Sequence, residues 1–178
     1  INILIGTIIA SFQTGAVSYL YYADRIYQIN LAIAGIAVGA VVLPNLSKKI
    51  KENNKNSINT LQNKSLELSL ALSLPAAFGL FIASKEIVSS LFGYGSFTQD
   101  DVANTSLALM YFALGVPAFA LIKVLSSFYF ARDNTKTPFY ISFFSMITNV
   151  FISLVFFKEY GFIIIPIATT ISSWLSVI

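Results

Sequence analysis

The stretch YLYYADRIYQINLAIAGIAVGAVVLP, Tyr19 to Pro44, places an acid and a base inside a long apolar run. Asp24 and Arg25 are the only charged residues among the first 47 positions. An ionisable side chain within a membrane helix costs roughly 2.5–3.5 kcal/mol on insertion scales, so it is expected to face a water-filled cavity and to serve a function. How this stretch folds therefore decides both the architecture and the place of the functional site.

The composition of the whole chain indicates a membrane protein. Its 178 residues are 56% hydrophobic and 11% charged, and the mean hydropathy is +0.76. Uncharged runs over 1–23, 26–47, 68–83 and 139–157 suit the roughly 20 residues that a membrane helix needs. The absence of cysteine and histidine argues against disulfides, zinc sites and imidazole catalysis, so we expect neither an enzyme nor a metal centre.

Charged and turn-rich breaks predict an all-α fold, a polytopic transmembrane bundle of about six membrane helices. The predicted helices cover approximately 1–13, 16–45, 66–84, 106–128, 139–157 and 161–178, and a loop covers 46–65. Five lysines lie between positions 47 and 64, so the positive-inside rule makes this loop cytoplasmic and the segment 85–105 outward-facing. No aromatic residues interleave these lysines, which argues against nucleic-acid binding. Because the chain begins and ends inside apolar runs, we expect it to be part of a longer membrane protein.

Two arrangements of the first 47 residues fit the sequence. In one, Asp24 and Arg25 form a polar turn between helices at 3–22 and 26–45. In the other, the turn lies at Gln13–Gly15 and a single helix runs from about 16 to 45, which places the charged pair roughly 14 Å below the start of that helix. The local sequence favours the long helix, because YADRIY contains no Gly, Pro or Asn, whereas QTG is an ordinary turn.

A polar stripe follows if this helix is continuous. Helical spacing from Arg25 selects Ser18, Tyr21 or Tyr22, and Gln28. A guanidinium facing a cavity suits phosphate, because its planar fork of donors binds pairs of oxygen atoms and stays charged. The stripe therefore predicts a site for an anionic substrate, while the spacing of Gly35 and Gly39 predicts close packing against another helix.

Other polar residues of the predicted spans form a second candidate cluster. Asn149 and Ser153 lie one turn apart on one helix, and Thr169 lies on the next. They could build an oxygen-lined ion site, yet hydrogen bonding between helices is the more common use of such residues.

The residues around Arg25 resemble the MurJ/MviN family of lipid II flippases. The matching positions are Gly15, Ser18, Leu20, Tyr22, Ala23, Arg25 and Gln28, followed by Gly35, Ala37, Gly39, Leu43, Pro44, Leu46 and Ser47. LPAAFGL, LFGYGSFTQDD, YFALGVPAFALIKVLSSFYFARDNTKTP and GFIIIPIATTISSW extend the resemblance over essentially the whole chain.

The resemblance implies a 14-helix, two-lobed transporter of the multidrug/oligosaccharidyl-lipid/polysaccharide exporter superfamily. The chain is similar to helices 7 to 12, without the N-terminal lobe. The implied activity is alternating-access transfer of a lipid-linked peptidoglycan precursor across the bacterial cytoplasmic membrane, through a cationic cavity. Arg25 matches an essential arginine of the family, and Asp24, Ser18, Gln28 and Tyr22 match its surroundings. The implied partners are the precursor, membrane lipids and the absent lobe.

The chain departs from the family pattern near Arg25 and at positions where some relatives have carboxylates. Asn30 replaces a proline and Ala40 replaces a threonine, and neither change removes the arginine. Some relatives bind sodium with carboxylates at the positions of Gly6 and Ser153, so we expect no cofactor, and a sodium site would be incomplete. Two alternative functions stay open: a cation-coupled drug or polysaccharide-lipid exporter of the same superfamily, and a membrane scaffold without transport activity.

Overall fold

A computed structural model describes residues 2–178, with side chains from Ile5 onward. The described chain is a bundle of α-helices joined by short turns. The helices are α1 (Asn2–Ala10), α2 (Ala16–Leu31), α3 (Val38–Lys51), α4 (Lys55–Ile82), α5 (Ser84–Phe92), α6 (Gln99–Ala113), α7 (Val116–Phe130), α8 (Lys136–Tyr160) and α9 (Ile164–Val177).

The stretch that carries Asp24 and Arg25 is helical from end to end. The turn before it spans residues 11–15, and Gly15 adopts φ +80°, a left-handed conformation that favours glycine. From Ala16 the chain stays helical to Lys51, because α2 passes into α3 through a π-helical segment, Ala32–Ala37. Of the two arrangements that fit the sequence, the structure has the one with a single long helix.

The π-helical segment is hydrogen-bonded to α4. Ser69 of α4 is fully buried, and its Oγ donates a hydrogen bond of 2.8 Å to the carbonyl oxygen of Ala34. A π-helical turn replaces the regular i to i−4 hydrogen bonds by i to i−5 ones, and each carbonyl oxygen still has a lone pair for a second donor. Ser69 supplies such a donor and ties α4 to the long helix.

The predicted loop over 46–65 is mostly helical, contrary to the sequence prediction. Helix α3 ends at Lys51 and α4 begins at Lys55, which leaves only residues 52–54 as a turn. Asn54 caps α4, its Oδ1 accepting from the backbone N–H of Ser57 at 3.1 Å. Low hydropathy suggested a loop here. The segment forms the end of α3 and the start of α4 instead, and Ile58 and Leu61 of α4 pack against a buried cluster.

The predicted helix 106–128 is divided. Helices α6 and α7 meet at Leu114–Gly115 with a bend of 47°. Thr170 Oγ1 donates to the carbonyl of Tyr111 at 2.9 Å, and Trp174 Nε1 donates to the carbonyl of Leu114 at 3.0 Å. Side chains of α9 thus satisfy carbonyl groups at the break, which is how a membrane bundle tolerates an interrupted helix.

Helices α8 and α9 form an antiparallel hairpin. Ser145 Oγ donates to the carbonyl of Ser172 at 3.0 Å, and Asn149 Nδ2 donates to Thr169 Oγ1 at 3.0 Å. The short 3₁₀ turn Gly161–Ile163 joins them, and the N–H of Phe162 donates to Gln13 Oε1 at 2.9 Å. The predicted spans 139–157 and 161–178 correspond to these two helices.

Several helices have the length and hydropathy of membrane spans. Ala16–Lys51, Lys55–Ile82 and Lys136–Val177 qualify by themselves, and α6 and α7 qualify together as a bent span. Since the last of the three segments folds back on itself, it supplies the two helices of the hairpin. Helix α5, which lies mostly in the segment 85–105 that separates two predicted spans, is a short amphipathic helix that buries Val88.

Two buried clusters hold the bundle together. The larger joins α1, α2 and α4 to α6, α7 and α9 through residues such as Leu109, Phe112 and Ile165. The smaller joins α3 to α7 around Leu46 and Val124. Helix α2 therefore has one buried face, at Ala23 and Ile26, and it leaves Arg25 exposed on another.

Candidate functional site

Arg25 lies on an exposed face of α2 and is held by Tyr21, one turn earlier. Arg25 Nη2 donates to the Tyr21 hydroxyl at 3.2 Å, and the guanidinium carbon lies 4.8 Å from the centre of the Tyr21 ring. A guanidinium over an aromatic ring is attracted by the ring quadrupole and keeps most of its N–H donors free. The contact therefore orients Arg25 while leaving it able to bind an anion.

Asp24 belongs to a different face of the same helix. Its Oδ2 accepts a hydrogen bond from Gln28 Nε2, one turn later. Asp24 and Tyr27 also line an open cavity of about 290 Å³ between α1, α2, α6, α8 and α9. The acid and the base thus have separate partners, which agrees with the roughly 100° that separates adjacent side chains on a helix.

Tyr22 and Ser18 lie together in the N-terminal half of α2. Both line a concavity of about 460 Å³ between α2, α5 and the start of α6. The Tyr22 ring packs against Phe92 at 4.7 Å and against Phe97 at 5.4 Å between centroids. Of the predicted stripe, the structure therefore places Ser18 and Tyr22 in one concavity, leaves Arg25 exposed nearby, and pairs Gln28 with Asp24.

Gly35 and Gly39 lie where the long helix contacts α7. A Cβ on Gly35 would come within 3.0 Å of the Cα of Ala120, and a Cβ on Gly39 would come within 2.9 Å of Ser127 Oγ. Both distances are shorter than ordinary van der Waals contact, about 3.5–4.0 Å between carbon atoms. The absence of a side chain at these positions lets the two helices approach closely.

The candidate ion cluster is partly engaged in hydrogen bonds between helices. Asn149 Nδ2 donates to Thr169 Oγ1, which itself donates to the carbonyl of Ile165 at 2.8 Å. Asn149 and Thr169 line the same cavity as Asp24. Ser153 is buried, and its Oγ has no hydrogen-bond partner among the residues that the structure describes. In the described part of the chain, no three Asp, Glu, Cys or His side chains are grouped as metal ligands.

Residues that the sequence did not indicate as functional are also part of this region. Phe92, Phe97 and Asp101 line the concavity next to Tyr22, although they lie about 70 or more positions away in the chain. Only the tertiary contact between α2 and the segment around α5 and α6 brings them together, so no local pattern could have identified them. The partnership of Asp24 with Gln28, by contrast, follows from their i, i+4 spacing.

Comparison with known proteins identifies the family. The family model described as "Lipid II flippase MurJ" matches residues 1–178. The chain belongs to the MurJ family of lipid II flippases. A probable lipid II flippase MurJ of Rickettsia prowazekii is 41% identical over 174 residues, covering 98% of this chain and 34% of that protein. A probable lipid II flippase MurJ of Rhizobium meliloti is 42% identical over 176 residues, covering 99% of this chain and 33% of that protein.

A solved structure supports the same assignment. The lipid II flippase MurJ in an inward closed conformation matches with a TM-score of 0.90 and 30% identity, covering 99% of this chain and 37% of that one. The architecture is therefore that of part of a MurJ-type transporter, and the chain is a multi-pass protein of the bacterial inner membrane. The chain spans about a third of the length of the relatives it matches.

Proposed function

We propose that this chain forms the arginine-bearing part of a flippase that moves lipid II across the bacterial cytoplasmic membrane. The observation that carries the proposal is the position of Arg25, exposed within a 36-residue apolar helix and oriented by Tyr21. A cation in such a place is costly unless a cavity and an anionic ligand use it. Lipid II carries a diphosphate between its lipid tail and its sugars, and a guanidinium binds phosphate oxygens in pairs.

The proposed mechanism is alternating access. The headgroup of lipid II enters a midplane cavity that opens first to the cytoplasm and then outward, while the polyprenyl tail stays in the lipid. Arg25 binds the diphosphate, and no covalent bond is made or broken, so the protein acts as a transporter and not as an enzyme. The match to relatives named lipid II flippases supports this choice of substrate. The complete activity requires a chain of the relatives' length, with membrane lipids and the remaining helices as its partners.

We propose further that sodium is not bound by Asn149, Ser153 and Thr169. Two of these side chains bond to each other, and Gly6 and Ser153 offer no carboxylate at the positions where some relatives have one. Asp24 is the acid that lines the nearby cavity, and its Oδ2 is engaged by Gln28. The donor set is therefore short of negative charge for a dedicated sodium site.

A genetic experiment tests the flippase proposal. A bacterium depleted of its own flippase receives the full-length protein with Arg25 intact, or with Arg25→Ala, after both are shown to reach the membrane in equal amounts. We expect growth with the first and lysis with the second. Growth with both would remove Arg25 from the substrate site, and failure of a well-expressed full-length protein with Arg25 intact would contradict the flippase assignment.

A further inference from the structure

The concavity beside Tyr22 has the form of an aromatic cup. We use "aromatic cup" for the space lined by Gly15, Ser18, Tyr19, Tyr22, Phe92, Tyr94, Ser96, Phe97 and Asp101. Ring contacts among Tyr22, Phe92 and Phe97, with centroids 4.7–6.1 Å apart, make one wall. Phe92 and Phe97 also pack against the main core, which fixes that wall, whereas Tyr94 is 71% exposed at the rim.

The polar groups of the aromatic cup disfavour an anion. Asp101 is fixed by the start of α6, since its Oδ2 accepts from the Thr98 hydroxyl at 2.7 Å and from the Thr98 backbone N–H at 2.8 Å. A carboxylate repels phosphate but accepts hydrogen bonds from hydroxyl and amide groups. The Ser18 and Ser96 hydroxyls can both donate and accept. The cup therefore suits a neutral group that is apolar on one face and rich in hydroxyls at its edge, as a pyranose ring is.

The aromatic cup lies beside the Tyr21–Arg25 pair on α2, although neither of these two residues lines it. Tyr21 contacts both Tyr22 and Arg25, since the centre of its ring lies 5.8 Å from that of Tyr22 and 4.8 Å from the guanidinium carbon of Arg25. Tyr22 precedes Arg25 by three residues, a rise of about 4.5 Å along the helix. In a glycosyl diphosphate the sugar is bonded directly to phosphate, so a diphosphate bound to Arg25 can hold that sugar close to the turn of α2 that carries Tyr22.

We propose that the aromatic cup binds the sugar ring attached to the diphosphate of the substrate. The proposal rests on the flippase function proposed above, and it adds Phe92, Tyr94, Phe97 and Asp101 to the substrate site. Aromatic rings take the apolar face of the sugar, and Asp101 with the two serines takes its hydroxyl groups. Arg25 then binds the diphosphate, and the aromatic cup binds the first sugar.

Binding measurements on the purified full-length protein in nanodiscs test the proposal. The probes are lipid II, polyprenyl diphosphate, and polyprenyl diphosphate carrying a single sugar without peptide. We expect the sugar to increase affinity over bare polyprenyl diphosphate. Tyr94→Ala should remove on the order of 3- to 10-fold of that increase, as should Phe97→Leu, which keeps apolar volume but loses the ring. Binding of bare polyprenyl diphosphate should not change, which also shows that the variants are folded.

A matched substitution controls for general effects. Tyr140→Ala removes an aromatic ring of similar exposure, 66%, from α8, outside the aromatic cup, and should leave all affinities unchanged. Equal affinity of the unaltered protein for bare and glycosylated polyprenyl diphosphate would overturn the proposal. So would an equal loss for both probes in Tyr94→Ala. Failure of the unaltered protein to bind lipid II would instead overturn the proposed function itself.

Discussion

Adding one methyl group at Gly35 tests how closely the long helix packs on α7. In Gly35→Ala the new Cβ would lie 3.0 Å from the Cα and 3.3 Å from the carbonyl oxygen of Ala120, and 3.1 Å from Leu31 Cδ1. The two Ala120 atoms are backbone and cannot rotate away, so the helices must separate. Overpacking of this kind costs typically about 1–3 kcal/mol.

Two other glycines provide the comparison. Gly79→Ala on α4 meets no atom within 4 Å, so it should only gain helix propensity, up to about 1 kcal/mol. Gly39→Ala meets Ser127 Oγ at 2.9 Å, a side chain that can turn away if it gives up its 3.0 Å hydrogen bond to the carbonyl of Lys123. That loss is about 0.5–1.5 kcal/mol. Gly39 and Gly79 lie in α-helices and share the gain in helix propensity, so their difference isolates the contact at Gly39, whereas Gly35 lies in the π-helical segment and its variant reports the backbone contact.

The assay is thermal unfolding of the full-length protein in detergent. We expect the apparent Tm to fall most for Gly35→Ala, less for Gly39→Ala, and to rise or stay constant for Gly79→Ala. Adding Ser127→Ala to Gly39→Ala should relieve the contact, so the double variant should be more stable than the sum of the single effects. A Gly35→Ala protein as stable as Gly79→Ala would refute the close packing.

The remaining predictions concern a buried hydrogen bond and ion coupling. Ser69→Ala removes the side-chain donor to the Ala34 carbonyl and should lower the apparent Tm, at a cost of about 1–3 kcal/mol. Ser73 lies one turn later and is equally buried, but its hydroxyl has no partner among the described residues. Ser73→Ala should therefore be neutral or stabilising. Equal losses of stability would contradict this assignment. Replacing sodium by N-methylglucamine on both sides of proteoliposomes should leave transport unchanged, and arrest of transport would show that an ion site exists despite the missing carboxylates.

Local sequence signals predicted the long helix and the membrane bundle. The absence of a turn-forming residue in YADRIY and the presence of QTG placed the turn before Ala16, where the structure has it. The i, i+3 spacing placed Tyr22 and Arg25 on neighbouring parts of one helix. These features depend on residues close together in the chain, which is why a single sequence carries them.

Features that depend on tertiary contacts could not be predicted in the same way. The N-terminal half of α4 is polar, and only the packing of Ile58 and Leu61 on the smaller cluster shows why it is helical. The break between α6 and α7 is stabilised by Thr170 and Trp174, far along the chain. Likewise, the aromatic cup exists only because the segment around Phe92 and Phe97 folds onto the start of α2.

The most direct test of the central claim is translocation by the purified full-length protein in proteoliposomes. Fluorescent lipid II is incorporated, and its exposure to an impermeant reductant outside the vesicles is followed with time. We expect rapid exposure of the inner pool with the unaltered protein and a rate reduced about 10-fold or more by Arg25→Gln. Arg25→Lys should give an intermediate rate, because it keeps the charge but loses the planar fork. Equal rates for the unaltered protein and Arg25→Gln would contradict the role of Arg25 in recognising the diphosphate.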